Sequence, residues 1–557
     1  MITDPELHKL LKDSSYLEDT DLDKAARNAR EEELSLYQSL VKLDLISDEN
    51  LGKLIADYFK VPYIKLAKSV ISNQALNILN EEFAREHKVI VFEADKKEIK
   101  LATPDPRNLD LIAMIAKKIS KEPKVFYATE RDVLETLNLY KKDLQNVFSD
   151  LLKVDFDESG KVTNPELPIA KIVDTILEYA FLNKASDIHI EPGDEYSLIR
   201  FRVDGILHDQ IKLPKIIHDQ VITRIKVKSR LRTDEHLSAQ DGKMQLQIGT
   251  EKLDIRVSTV PIVEGEKCVM RLLTSNFRQF GLTDLGMNKE ALAIVKAGFQ
   301  KPYGMVLSTG PTGSGKTTSM YAILKIINTR ERNIATIEDP VEYDIKGINQ
   351  IQVNPKTNLT FAEGLRSILR QDPDVIYVGE IRDEDTAGIA INSAMTGHLV
   401  LSTLHTNDAA TSLPRLIEMG IEPFLVASTV NVIIGQRLVR KICDKCKVSH
   451  IIDRKEIEDH ISKDLVKIHF GVAKEIRTYL GKGCPVCHNS GYDGRIGVFE
   501  VLQVSEAIEK LIVAKADSDD IEQQAIKEGM KTMLEDGLDK IQQGQTTLEE
   551  VLRVTRE

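Results

Sequence analysis

The chain has 557 residues, with 75 Lys and Arg against 87 Asp and Glu, for a formal net charge of −12. That length exceeds what one hydrophobic core organises, so three or four domains are expected; the acidic balance excludes a general nucleic-acid binder, whose phosphate contacts need a concentrated basic surface. No apolar run approaches the ~18 residues needed to cross a bilayer, and the start, Met1-Ile2-Thr3-Asp4-Pro5-Glu6, has neither the basic nor the apolar region of a secretory signal, so a cytoplasmic location is expected.

From Met1 to about Leu144 the sequence is charged and helix-rich, with amphipathic spacing at Leu51, Leu54, Ile55 and Tyr58 followed by the extended piece Val61-Pro62-Tyr63-Ile64. Val89-Ile90-Val91-Phe92 and Ile99-Lys100-Leu101-Ala102 read as short strands. The polar stretch Phe156 to Pro165, broken by Gly160 and Pro165, marks a linker, placed at 146–166. Ile169 to Leu182 reads as a helix, and Ser186 to Ile190, Leu198 to Val203 and Leu253 to Val257 read as strands, which suggests a compact α+β domain. Cys268, alone in Cys268-Val269-Met270, reads as a small buried side chain. A helix from about Lys289 to Phe299 leads into alternating apolar strands and helices that run to about Arg440, the pattern of a mainly parallel sheet.

Gly310-Pro311-Thr312-Gly313-Ser314-Gly315-Lys316-Thr317 is a complete G-x-x-x-x-G-K-[ST] phosphate loop. It stands between the apolar run Met305 to Thr309 and the helical pattern Met320, Ile323, Leu324, Ile327. Glycines let consecutive backbone N–H groups turn toward a phosphate, and the following helix adds its positive end. Lys316 is placed to reach the β- and γ-phosphates of ATP, Thr317 to hold Mg²⁺, and the binding segment is taken through Thr318.

Three later segments put polar residues at strand ends, where ligands bind in open α/β sheets: Asn333 to Glu342, with Glu338 and Glu342; Asp374-Val375-Ile376-Tyr377-Val378-Gly379-Glu380; and Gly397 to His405, bracketed by His398 and His405. Hydrolysis needs a carboxylate that orients water near the γ-phosphate. Glu380 is the first choice, and Glu338 and Glu342 are candidates for a shared duty. Beyond them, Cys443/Cys446 and Cys484/Cys487 form two C-x-x-C pairs, whose knuckles together supply a closed tetrahedral Cys₄ set suited to structural Zn²⁺. Neither pair opens a helix in a thioredoxin-like pattern, which counts against a redox pair. Ala507 to Glu557 is helical by pattern.

These motifs resemble the secretion ATPase superfamily. Gly310 to Thr317, Ile337 to Glu342, Leu369 to Asp383, and Thr396 to Asn407 look like its Walker A, Asp box, Walker B and His box, in that order. Ala185 to Pro192, Phe201-Arg202-Val203-Asp204-Gly205 and Gln240-Asp241-Gly242 resemble the PAS-like domain that precedes the core in that family. The cysteines and long N-terminal region are similar to its pilus-extension and type II secretion branch, not to the retraction branch. The resemblance implies an α/β fold: a RecA-like core over 279–557 with a zinc subdomain at 440–490, a PAS-like domain at 167–278, and a mainly helical α/β adaptor domain at 1–145. It implies a homohexamer that couples ATP hydrolysis to an inner-membrane platform protein, and so a peripheral place at the membrane's inner face. It also implies that Arg256 and Arg271 match arginines at the nucleotide, and that His405 belongs to the catalytic set. The strand before Glu380 ends in Gly379 where the commonest pattern has Asp, so the Mg²⁺ ligands are completed differently. The stretch Leu36 to Phe59 lacks the Arg-Leu-Gly, Gly and Gln by which some relatives bind cyclic di-GMP, which counts against that ligand.

A DNA-translocating motor with the same core is opposed by the acidic balance and by the absence of interleaved basic and aromatic residues. A scaffold that has lost hydrolysis is opposed by the presence of Lys316, Thr317, Glu338, Glu342 and Glu380.

Overall fold

The computed structural model describes residues 2–140 and 168–555, apart from 15, 18, 32–33, 44, 67–68, 70, 96–97, 120, 138–139, 249–250, 274–280, 485–486 and 488. The expected linker at 146–166 lies outside the described residues. The chain groups into two compact units, Met1–Lys60 with Phe280–Glu557, and Val61–Gln279.

Residues 2–60 form the helices Asp4–Ser14, Asp19–Glu31, Leu36–Lys42 and Asp48–Phe59. Their apolar residues recur at helical spacing, and Leu7, Leu11, Leu22, Leu40, Leu51 and Ile55 are buried. Ser35 and Gln38 form a reciprocal capping box on the third helix, and Ser47 caps the fourth.

The Val61–Gln279 unit holds two sheets. β1 (Ile90–Ala94), β2 (Ile99–Thr103) and β3 (Lys124–Tyr127) make a three-stranded sheet, with β1 antiparallel and β3 parallel to β2. β4 (Asp187–Pro192), β5 (Tyr196–Val203), β6 (Ile206–Pro214), β7 (Gln240–Ile248), β8 (Glu251–Ile262) and β9 (Gly265–Leu273) make a six-stranded sheet in the order β6-β5-β4-β9-β8-β7. All its pairs are antiparallel, and the strands alternate accordingly. Ile188 and Ile190 enter a core with Phe201, Met270 and the helix Ile169–Leu182, while Asp187, His189 and Glu191 take the opposite face. Cys268 is fully buried in this core.

In the other unit, β10 (Gly304–Thr309), β11 (Ile334–Glu338), β12 (Asn349–Gln352), β13 (Val375–Val378), β14 (Leu399–Leu404) and β15 (Val430–Ile442) are parallel. A hairpin of β16 (Lys447–Asp453) and β17 (Glu475–Gly481) follows, and the chain returns as β18 (Tyr492–Gln503), antiparallel to β15. The seven-stranded order is β12-β11-β13-β14-β10-β15-β18. Every residue of β10, β11, β13 and β14 is buried, because apolar clusters cover both faces of the sheet: Ile391, Leu413 and Leu416 on one, Met320, Ile323 and Phe299 on the other. The carboxyl ends of β10, β11, β13 and β14 therefore bring Gly310, Glu338, Glu380 and His405 to one edge of the sheet. Among the described residues, no helix is long and apolar enough to cross a membrane.

Candidate nucleotide site and metal centre

β10 runs into the phosphate loop, and the helix Lys316–Ile327 leaves it. Gly310 has φ +142, and a Cβ there would come 2.4 Å from the carbonyl oxygen of Gln436 on β15; only glycine fits. Gly315 stands at the helix N-cap with φ +92, so the turn delivers the free N–H groups of the first helical turn to the loop. Gln436 braces the loop from behind: its Nε2 donates to Ser314 O at 2.8 Å and its Oε1 accepts from Ser308 Oγ at 3.3 Å.

Lys316 is buried and donates through Nζ to the carbonyls of Gly310 (2.6 Å) and Pro311 (3.3 Å). Burial pulls the ammonium below its usual pKa, and the charge of Glu380 opposes that shift. A half-desolvated cation facing loop carbonyls gains most from an anion in the cradle.

Glu380 accepts from His405 Nε2 at 3.0 Å and pairs with Arg382 at 2.5 Å. Its own side chain is 13% exposed, against 47% for His405, so the carboxylate is sheltered while the imidazole stays open to solvent. β14 sets this pair, since Thr403 Oγ1 donates to Gly379 O at 2.7 Å and fixes the backbone before Glu380.

Glu338 sits differently. It is 2% exposed and accepts from Thr336 Oγ1 (2.6 Å), Gln350 Nε2 (3.2 Å) and the Tyr321 hydroxyl. Burial raises its pKa against the pull of those donors. Three donors occupy the carboxyl, which suits it to fixing the end of β11 better than to activating water. Glu342 is half-buried, and its backbone N–H donates to Tyr321 Oη at 3.3 Å. His398 Nδ1 donates to Ser393 O at 3.0 Å, which ties it to the helix Glu384–Met395 rather than to Glu380.

Arg256 and Arg271 lie in the Val61–Gln279 unit, directly opposite each other on β8 and β9. Arg271 Nε pairs with Asp187 Oδ1 at 3.0 Å, and Arg202 reaches the other oxygen at 3.5 Å. The Arg271 side chain remains 64% exposed.

The four cysteines converge at the base of the β16–β17 excursion. Their sulfurs all lie within 4.8 Å of one another, with Cys443–Cys484 and Cys446–Cys487 at 3.8 Å and Cys484–Cys487 at 3.6 Å. Four thiolates at the ~2.3 Å Zn–S distance on a tetrahedron stand about 3.8 Å apart, so the set fits the ion. The Cys484 and Gly491 N–H groups donate to Cys487 Sγ at 3.2 and 3.3 Å, bonds that favour a thiolate.

Two participants escape sequence reasoning. Gln436 carried a signal, since it is a polar residue directly after Gly435, which itself ends the apolar run Val432-Ile433-Ile434. Thr406, whose N–H donates to Thr309 Oγ1 at 3.0 Å and so ties the loop after β14 to the end of β10, carried none beyond lying in the His-box segment.

A phosphate loop on a mainly parallel sheet, a sheltered carboxylate on the far side of one intervening strand and a closed Cys₄ set define a nucleoside-triphosphate hydrolase of the secretion type. Residues 163–553 match the family described as Type II/IV secretion system protein, and the chain belongs to it and is an ATPase. Residues 59–146 match the MshEN domain. The chain is 36% identical over 571 residues to the "Type IV pilus assembly ATPase PilB" of Pseudomonas aeruginosa, covering 99% of this chain and 98% of that protein. It is 42% identical over 439 residues to the "Type II secretion system ATPase E" of Vibrio cholerae, covering 78% and 86%. In fold it resembles the Yersinia pseudotuberculosis ATPase DotB, with a TM-score of 0.51 at 21% identity over 69% of this chain and 93% of that one.

Proposed function

We propose that this ATPase is the motor of type IV pilus assembly, working as a homohexamer against an inner-membrane platform protein so that hydrolysis drives pilin addition. The observation that carries this reading is the near-complete match, end to end, with a pilus assembly ATPase, on a chain whose phosphate loop, Glu380 and His405 share one sheet edge. Under this reading residues 1–145 act as the adaptor, 146–166 link it to the PAS-like domain at 167–278, and 279–557 form the ATPase core with its zinc subdomain at 440–490.

In the proposed reaction the loop N–H groups and Lys316 bind the β- and γ-phosphates, and Thr317 holds Mg²⁺. Mg²⁺ supplies neutralisation of the developing phosphate charge. Glu380 orients the attacking water and accepts its proton, and His405 holds Glu380 in place. Arg256 and Arg271 add positive charge at the γ-phosphate. Cys443, Cys446, Cys484 and Cys487 hold Zn²⁺ in a structural role.

A second reading, the motor of type II secretion, is favoured by the 42% identity to a protein of that system. Chromosomal Lys316→Ala separates the two. Loss of surface pili with extracellular enzyme levels unchanged supports pilus assembly; retained pili with secreted enzymes trapped in the periplasm supports secretion.

A further inference from the structure

Glu500 lies on β18, outside the nucleotide motifs, and is 5% exposed. Opposite it on β15 is Gly435, where a Cβ would stand 2.7 Å from the Glu500 carboxylate oxygen. The missing side chain lets the carboxyl lie across β15 and reach the loop after β14, where Oε1 accepts from the buried Ala409 N–H at 2.6 Å. That loop begins at His405. Its forward side is held by Thr406, bonded to Thr309 at the head of the phosphate loop, and by His405 itself, bonded to Glu380. Its far side is held by Glu500, by an exposed bond from Arg437 to Asn407 O at 3.3 Å, and by the Thr406, Thr411 and Ser412 hydroxyls, which donate to Asp408 O.

The carboxyl is costly where it stands. Burial pushes Glu500 up to about 7, and the Asp408 carboxylate adds to the push. An apolar side chain at this strand position would avoid that penalty but leave the buried N–H of Ala409, and the Met533 N–H that also bonds the carboxyl, without their acceptor.

The geometry points to Glu500 as a positioning residue for hydrolysis: its carboxyl fixes the backbone at Ala409 and thereby sets His405 against Glu380. This inference rests on the reading of Glu380 and His405 as the reacting pair.

The test is steady-state ATP hydrolysis by the full-length chain. Glu500→Leu removes the acceptor, and kcat is expected to fall about tenfold or more with the KM for ATP held within about twofold, because the loss falls on transition-state geometry and not on binding. Glu500→Gln restores an acceptor for Ala409 N–H and is expected to recover most of the rate. A general packing defect would not show that rescue. If Glu500→Leu does not fold, Gly435→Ala serves instead, since its methyl displaces the carboxyl, and the same fall in kcat with unchanged KM is expected. Full turnover in Glu500→Leu or in Gly435→Ala, or equal loss in Glu500→Gln and Glu500→Leu, overturns the inference. His405→Ala, run alongside, keeps the two readings apart: its impairment together with normal Glu500→Leu turnover removes this inference alone, whereas normal His405→Ala turnover removes the reading beneath it and this inference with it.

Discussion

Gln436 Nε2 donates to the carbonyl of Ser314 across 2.8 Å, so the phosphate loop is held by a strand that comes more than a hundred residues later in the chain. Gln436→Leu leaves Ser314 O without that donor inside a buried site. An unsatisfied buried carbonyl costs about 1–3 kcal/mol, and the loop pays it by loosening. ATP affinity, measured with a fluorescent nucleotide, is expected to weaken about tenfold. An unchanged Kd would show that the helix Lys316–Ile327 sets the loop alone.

Lys316→Ala and Glu380→Gln are expected to fail differently. The ammonium of Lys316 balances phosphate charge in ground and transition states alike, so its loss abolishes turnover and also weakens nucleotide binding. The Gln variant keeps the shape of Glu380 and removes one charge, so ATP stays bound while hydrolysis slows by about 10² or more. Normal turnover in Glu380→Gln would pass the role to Glu342, because Glu338 already accepts from Tyr321, Thr336 and Gln350.

Purified protein is expected to carry one zinc ion per chain. Cys443→Ser or Cys484→Ser should lower the melting temperature or the soluble yield, since metal binding at such sites is coupled to folding. The KM for ATP should not move. Freshly purified protein without zinc by metal analysis would remove the claim.

Glu550 gives a stability prediction with a defined pH window. It is 2% exposed, bonds Arg553 and Arg440 side chains and the Arg440 N–H, and so docks the helix Leu548–Thr555 on β15. Burial opposes ionisation, yet these bonds win and hold its pKa at about 2, down from 4.5. A depressed carboxyl stabilises the fold above its unfolded pKa and loses that contribution as pH falls through the folded one. The linkage amounts to about 3 kcal/mol at neutral pH. Glu550→Gln should therefore be less stable than the parent at pH 7, with the gap closing from about pH 4.5 toward pH 2. A gap that does not change with pH would show that packing, not charge, anchors this helix.

Arg256→Ala and Arg271→Ala are each expected to cut kcat by about tenfold or more while ATP affinity falls far less, because a guanidinium at the γ-phosphate acts mainly on the transition state. Mixing Lys316→Ala protein with Arg271→Ala protein reads out the source of the contact. Recovered activity means a neighbouring subunit supplies the arginine, and no recovery means the same chain does. Two normal single variants would leave Arg271 only as the partner of Asp187.

What could be read from the sequence follows how local each interaction is. The phosphate loop, the strand ending at Glu380 and the paired cysteines announce themselves through fixed spacing over a few residues. β18 does not: Tyr492–Gln503 owes its place in the main sheet to pairing with β15 across the whole cysteine segment, and no periodicity within it reveals that partner. β7 was missed for a related reason, since Gln240–Ile248 is mostly polar and becomes a strand by pairing with β8. Glu338 stands in the sequence as a candidate to share the duty of Glu380, because both are acids at strand ends. The positions of Tyr321 and Gln350, from the helix Lys316–Ile327 and the neighbouring strand β12, separate them.

The cysteine cluster has a consequence for that ladder. Cys443 directly follows β15, Cys487 lies just before β18, and Cys443 N–H donates to Gly491 O at 3.0 Å. Gln436 lies seven residues up the same strand, about 23 Å away at ~3.3 Å per residue, too far for any sulfur to influence phosphate directly. Yet side chains in a strand change face with every residue, so a slip of β18 by a single position along β15 would turn Glu500 away from Ala409. Clamped at its outer end, the pairing keeps its register, and the cysteines act on the loop after β14 as a registration pin acts on a printed page.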